Sequence, residues 1–112
     1  MQRHFRVEVN VRQDSAVLAL YGELDLASCP ALEAEFERAS AQKLVVVDLS
    51  ALEFIDSSGL GLLVEAHDRA REDGRRFALV QGLGQVQRLL GLTGLADQLP
   101  MAETREELLG EN

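Results

Sequence analysis

The sequence predicts an α/β fold: a small mixed sheet of four to five strands with helices mainly on one side. Three observations carry that prediction. Residues 5–11 alternate apolar and polar, the period-two pattern of a strand with one wet face. Residues 44–49, "LVVVDL", are apolar on both faces and rich in valine, as an interior parallel strand covered by helices requires. From residue 16 onward, strand-like and helix-like stretches alternate, which implies parallel pairing through right-handed crossovers.

Phe5, Val7, Val9 and Val11 form the apolar side of the first strand, with His4, Arg6, Glu8, Asn10 and Arg12 between them, and such a strand belongs near a sheet edge. "RQDS" at 12–15 is turn-like and "AVLALYG" from Ala16 reads as a buried strand, so the two make an antiparallel hairpin. In "ELDLASCPALEAEFERAS", Asp25 or Ser28 can accept hydrogen bonds from the free amides of a helix start, and Pro30 is tolerated only in the first turn. Leu32, Phe36 and Ala39 then fall at helical spacing. Lys43 leads into the central strand, whose Asp48 is expected to be held by backbone amides. After residue 56 a second helix carries Leu60, Leu63, Val64, His67 and Ala70 on one stripe and ends near Gly74. His67 on that stripe reads as a packed side chain. "RRFALVQ" is a further strand, and "GQVQRLLGLTGL" a short helix burying Val86, Leu89 and Leu90 and stopped by Gly91 or Gly94. A last short strand around residues 99–101 and a final helix, with Thr104 and Glu107 at capping-box spacing, close the pattern.

The 112 residues suit one domain over 1–112 with one hydrophobic core. An apolar fraction of 46% and a charged fraction of 27% are those of a globular chain. No apolar run approaches the ~20 residues of a membrane span, and "MQRHFRVEVN" lacks a signal-peptide apolar region, so the expected compartment is the cytoplasm. A net charge of -8 repels nucleic acid phosphates and anionic lipid. No nucleic acid or membrane partner is expected, and a protein or small ligand is favoured. The single cysteine, Cys29, rules out an internal disulfide and reads as a small residue in a helix first turn, while His4 and His67 lack metal-ligand spacing. No cofactor or metal is expected.

The chemistry-bearing feature is "DSSG" at 56–59, set inside "VVVDLSALEFIDSSGLGLLVEA". Asp56 or Ser57 can cap the helix that follows. Capping accounts for one polar residue but not for three in succession, and no Glu or Gln stands three residues later to complete a capping box. Gly59 and Gly61 weaken the first turn by ~1 kcal/mol each relative to alanine, which suggests that another molecule approaches here. Catalytic readings lack material. Ile55 occupies the first glycine position of a G-x-S-x-G nucleophile elbow, and "GLGLLV" and "GLGQVQ" each lack the third glycine of a dinucleotide motif. A serine hydroxyl at a helix N-terminus can instead be a substrate. A phosphoryl group there would meet free amides and the positive end of the helix dipole, while changing the surface charge by about -1.5 to -2.

The ordered series "GELDLASCPALEAEF" at 22–36, "VVVDLSALEFIDSSGLGLLVEAHDRAREDG" at 45–74 and "LLGLTGL" at 89–95 resembles the anti-sigma factor antagonist family, whose fold is the STAS domain. The resemblance implies partner switching. The unmodified antagonist binds an anti-sigma factor serine kinase and frees a sigma factor, phosphorylation switches binding off, and a serine phosphatase of the metal-dependent class restores it. The antagonist is itself no enzyme. By position the phosphoacceptor is Ser57, set among Asp56, Ser58, Gly59 and Leu60, and the choice of Ser57 over Ser58 rests on the resemblance. Glu23 and Asp25 converge on the same edge of the sheet, where they either contact the partner or only shape the loop. Leu60 serves as core or contact, and Leu62, off the main stripe, reads as an exposed contact. The alternative is a STAS subunit of a stress-signalling scaffold, a lipid-transport or transporter-associated complex, or a small-ligand-binding STAS domain.

Overall fold

The computed structural model describes residues 4–110. Its elements are β1 (Arg6–Arg12), β2 (Ser15–Leu24), α1 (Cys29–Arg38), β3 (Leu44–Asp48), β4 (Leu52–Ile55), α2 (Ser57–Glu72), β5 (Arg76–Val80), α3 (Gly84–Leu92), α4 (Leu95–Gln98), β6 (Met101–Ala102) and α5 (Arg105–Leu109). The sheet runs β1-β2-β3-β5-β6, with β4 beside β2. β1 and β2 form the expected antiparallel hairpin, and every other pairing is parallel. The sheet thus has six strands rather than four or five. The addition is β4, whose inward residues Leu52 and Ile55 flank exposed Glu53 and Phe54, a pattern without the period-two alternation that reveals a strand.

The long strand β2 explains how β4 finds a place. Its first half, Ser15 to Ala19, pairs with β3. Its second half pairs with β4, Leu24 standing opposite Ile55, after a register shift between Gly22 and Glu23. Gly22 permits that shift, because its backbone has φ +83° and a Cβ there would collide with the carbonyl of His4.

The sheet is covered mainly on one side, as expected. The larger core joins Leu18, Leu20, Val45, Val47, Phe77 and Leu79 of the sheet to Leu32 of α1, Leu63 of α2, and Val86 and Leu90 of α3. The opposite face carries a small cluster of Val17, Leu44, Val46 and Val80, over which α5 places Leu108 and Leu109. α3 ends at Leu92, so Gly94 rather than Gly91 marks the stop. Thr104 caps α5 by accepting the Glu107 amide, and His67 packs edge-on against Phe77, ring centroids 5.9 Å apart.

Among the described residues, Asp48 is the one buried polar or charged residue. It is held by more than amides. Oδ1 accepts from the amide and hydroxyl of Ser50 at 2.9 and 2.7 Å, and Oδ2 accepts from Nε of Arg105, 57 residues away, at 2.7 Å. Burial by itself would raise the Asp48 pKa. The Ser50 hydrogen bonds and the Arg105 guanidinium outweigh burial and hold the carboxyl below its ordinary value.

Gly59 is fully enclosed by its own chain. A Cβ on it would stand 2.8 Å from Ile55 Cγ1 and 2.8 Å from Leu24 Cγ, so the first turn of α2 lies directly on the ends of β2 and β4. Its small size serves this internal contact and not the approach of another molecule. Gly61, in contrast, has open space where its Cβ would be.

Two expectations follow. Asp48→Asn lowers unfolding free energy at pH 7 by about 1–3 kcal/mol. Because the folded pKa of Asp48 is depressed, its contribution is full above the unfolded value of ~4 and disappears as pH falls through the folded value, so urea denaturation across this range should show the wild-type advantage closing. Gly61→Ala raises stability by up to ~1 kcal/mol through helix propensity. Gly59→Ala gains the same term but overpacks Leu24 and Ile55 at a cost of about 1–3 kcal/mol, so denaturant midpoints should move in opposite directions.

Candidate functional site

The carboxyl ends of β2 and β4 and the start of α2 meet at one edge of the sheet. The Asp56 amide donates to the Leu24 carbonyl at 3.2 Å, which carries the β2–β4 pairing up to the first residue of the "DSSG" quartet. Asp56 then caps α2. Its backbone is extended, its Oδ1 accepts from the Gly59 amide at 3.1 Å, and its carbonyl accepts from Leu60 at 3.0 Å. Of the two capping candidates, Asp56 is therefore the cap, and Ser57 is the first helical residue. The amides of Asp56 and Gly59 are satisfied, which leaves those of Ser57 and Ser58 as the first-turn donors without a helical acceptor. Neither hydroxyl takes part in the cap. Ser57 is exposed and Ser58 half-buried, so Ser57 is the more accessible of the two serines.

The "GELD" segment meets this helix start from the other side. Here the expected cap of α1 is different. Ser28 occupies the cap position without capping an α1 amide. Its side chain turns back into the loop, accepting from the Asp25 amide at 2.9 Å and lying 2.8 Å from the Glu23 carbonyl. Asp25 Oδ1 accepts the Ser28 amide at 3.1 Å. With Pro30 in the first turn lacking an N–H, α1 has less need of a cap. Asp25 thus shapes the loop, whereas the half-exposed Glu23 carboxylate takes no part in its hydrogen bonds.

A shallow groove lies between the start of α1, lined by Leu26, Cys29 and Glu33, and the start of α2, lined by Ser57, Ser58 and Gly61. Its lining contains no lysine or arginine, so a phosphate on Ser57 would rely on first-turn amides and the helix dipole. Cys29 is inert in this setting. Burial, and then the nearby Asp56 and Glu33 carboxylates, push its thiol pKa up, which keeps it protonated and poorly nucleophilic.

The other residues singled out around Ser57 lie deeper. Gly59 is buried, Leu60 is 6% exposed and Leu62 is 7% exposed. Leu62 is not an exposed contact, because α2 packs against α1 as well as the sheet, and the second neighbour widens its buried stripe beyond the one that sequence periodicity reveals.

Three residues escape a reading by motif. Gln85 of α3 accepts the Ile55 amide at 3.0 Å and donates to the Ile55 carbonyl at 2.8 Å. Its side-chain amide thereby imitates a neighbouring strand on the open edge of β4, immediately before Asp56. A glutamine directly after Gly84 gives no local signal of that role. Leu26, 74% exposed, is a large apolar side chain in the groove of this site, and Leu83, just before α3, is 68% exposed, a signal available only once exposure is known.

Among the described residues no helix is long and apolar enough to cross a membrane. The STAS domain family profile matches residues 6–108. The anti-sigma-B factor antagonist of Listeria monocytogenes is 27% identical over 109 residues, 95% of this chain and 96% of that one. An anti-sigma factor antagonist from Mycobacterium paratuberculosis superposes with a TM-score of 0.84 at 28% identity, over 96% of this chain and 92% of that one. The anti-sigma factor antagonist SpoIIAA in its unphosphorylated form gives 0.76 at 25% identity, over 94% and 93%. With a profile running from β1 into α5 and relatives matched along nearly their whole length, this chain belongs to the STAS domain family, as do the bacterial anti-sigma factor antagonists it resembles.

Proposed function

We propose that this protein is an anti-anti-sigma factor controlled by phosphorylation of Ser57. In its unmodified form it binds an anti-sigma factor that is also a serine kinase, and the sigma factor held by that kinase is released. The kinase then transfers the γ-phosphoryl group of ATP to Ser57 Oγ. The hydroxyl proton passes to a base of the kinase, ADP leaves, and the modified antagonist dissociates. Hydrolysis by a metal-dependent serine phosphatase returns the hydroxyl form. ATP and metal belong to those partners, the antagonist itself performs no catalysis, and the cycle runs in the cytoplasm.

The observation that carries this reading is Ser57 itself, exposed at the first position of α2 while Asp56 makes the cap. The helix start does not depend on the serine hydroxyl, so modification removes no hydrogen bond that holds the fold, and two free amides are available to the phosphate. SpoIIAA has this fold in both its unphosphorylated and phosphorylated forms, which agrees with a switch that leaves the scaffold intact. What changes is the surface. Asp56, Glu23, Glu33 and Glu65 already make this edge acidic, and the added charge lies beside the exposed Leu26. A partner surface that had desolvated the bare hydroxyl would then face a buried dianion.

Incubation with a candidate anti-sigma factor kinase and ATP, followed by mass spectrometry, tests the site. Label should appear on Ser57, disappear in Ser57→Ala and persist in Ser58→Ala; undiminished labelling of Ser57→Ala would overturn the assignment. Calorimetric titration of the same kinase should show Ser57→Asp binding at least tenfold more weakly, or ~1.4 kcal/mol. Leu26→Ser should weaken binding by about 1–2 kcal/mol while leaving the unfolding midpoint unchanged, since the side chain is exposed in the free chain.

A further inference from the structure

β1 is an edge strand: β2 lies on one side of it and, among the described residues, no strand lies on the other. It runs for seven residues without a proline, and its ladder to β2 continues without a bulge, so two usual protections of an exposed edge are missing. The turn at Gln13 and Asp14 sets Arg12 opposite Ser15 as the closing pair of the hairpin. From there the alternation of an antiparallel ladder aims the N–H and C=O groups of Arg12, Asn10 and Glu8 at β2 and those of Val7, Val9 and Val11 outward.

A second observation concerns the side chains on this edge. Val9 and Val11 share the face of Val7, which packs on the larger core, yet they are 45% and 59% exposed. On the opposite face stand Arg6, Glu8 and Arg12. Arg6 stacks 4.0 Å from the Tyr21 ring centroid, and Glu8 accepts the Tyr21 hydroxyl at 3.0 Å. The chain as a whole has a net charge of -8, but β1 holds two arginines and one glutamate, so two copies can meet here without the repulsion that a net charge of this size otherwise imposes.

The order of these residues selects a partner and a register. In an antiparallel pair of identical strands, a dyad at Glu8 would set that carboxylate against itself, a dyad at Val9 would set Arg6 against Arg12, and one at Val7 would leave Val11 beyond the start of the second β1. A dyad at Asn10 places Glu8 opposite Arg12 twice by symmetry and Val9 opposite Val11, with the outward N–H and C=O groups of both valines in register for hydrogen bonding. We propose that β1 is a self-association edge, on which a second copy of this chain adds its own β1 antiparallel about Asn10 and continues the sheet from one copy into the other. Asn10 stands opposite Val17, toward the start of β2, whereas Ser57 follows β4 beyond the other end of β2. The association therefore leaves the Ser57 edge open and rests on no step of the proposed phosphorylation cycle.

Sedimentation equilibrium of the unmodified chain at low salt, up to about 1 mM, tests this without any other protein. A monomer–dimer equilibrium should appear, and amide hydrogen exchange at Val9 and Val11 should slow as concentration rises. Glu8→Arg and Arg12→Glu each set like charges opposite one another and should each weaken the dimer at least about fivefold. An equimolar mixture of the two variants brings opposite charges together at both positions and should associate to within about twofold of the wild-type chain, an outcome that altered folding of either variant would not produce. A chain that stays monomeric at the highest concentration, a dimer in which Val9 and Val11 exchange no more slowly, or a mixture no stronger than either variant alone would overturn the proposal.

Discussion

The site depends on the pairing of the second half of β2 with β4. That short parallel ladder sets Leu24 opposite Ile55 and carries the Leu24 carbonyl to the Asp56 amide. Without it, the "GELD" loop and the "DSSG" helix start would be separate features at the end of a sheet. Two further contacts hold it. Gly59 lets α2 rest on Leu24 and Ile55 at a distance no side chain would permit, and Gln85 closes the outer edge of β4 with a matched pair of hydrogen bonds. Both are contacts to the backbone or to buried side chains, so the geometry around Ser57 is set by the scaffold and does not require the serine.

This division of labour suits a switch. Asp56 supplies the cap, Asp25 and Ser28 tie the neighbouring loop, and the Asp48–Arg105 pair fastens α5 to the far face. The Ser57 hydroxyl is thereby left out of the bonds that hold the site, as the proposed modification requires. The cap and the neighbouring loop do not use it, two first-turn amides remain open to a phosphate, and in the proposed switch the added charge acts on whatever docks on the acidic edge beside Leu26.

Much of this was legible in the sequence where one residue type answers to one local requirement. The valine run of β3, the stripe of α2 and the Thr104 cap follow from periodicity and capping chemistry, and the convergence of residues near 23–28 with 50–59 follows from loops gathering at the carboxyl edge of a parallel sheet. What was not legible depends on partners distant in the chain. β4 is a strand because β2 is long enough to receive it, not because its four residues alternate. Leu62 is buried because α1 covers it, and Gln85 matters because a backbone edge 30 residues away needs a donor and an acceptor. Gly59 was legible as an anomaly but not as a cause, since only the packed structure reveals Leu24 and Ile55 against it.

In the proposed switch, a phosphate on Ser57 changes binding without changing the fold. The most direct measurement compares the enzymatically phosphorylated chain with the unmodified chain, recording backbone NMR spectra and affinity for the same anti-sigma factor kinase. Spectral changes should be confined to the neighbourhood of Ser57, with a loss of affinity of at least about tenfold. Equal affinity of the two forms, or a loss of affinity accompanied by unfolding of the β2–β4–α2 region, would contradict it.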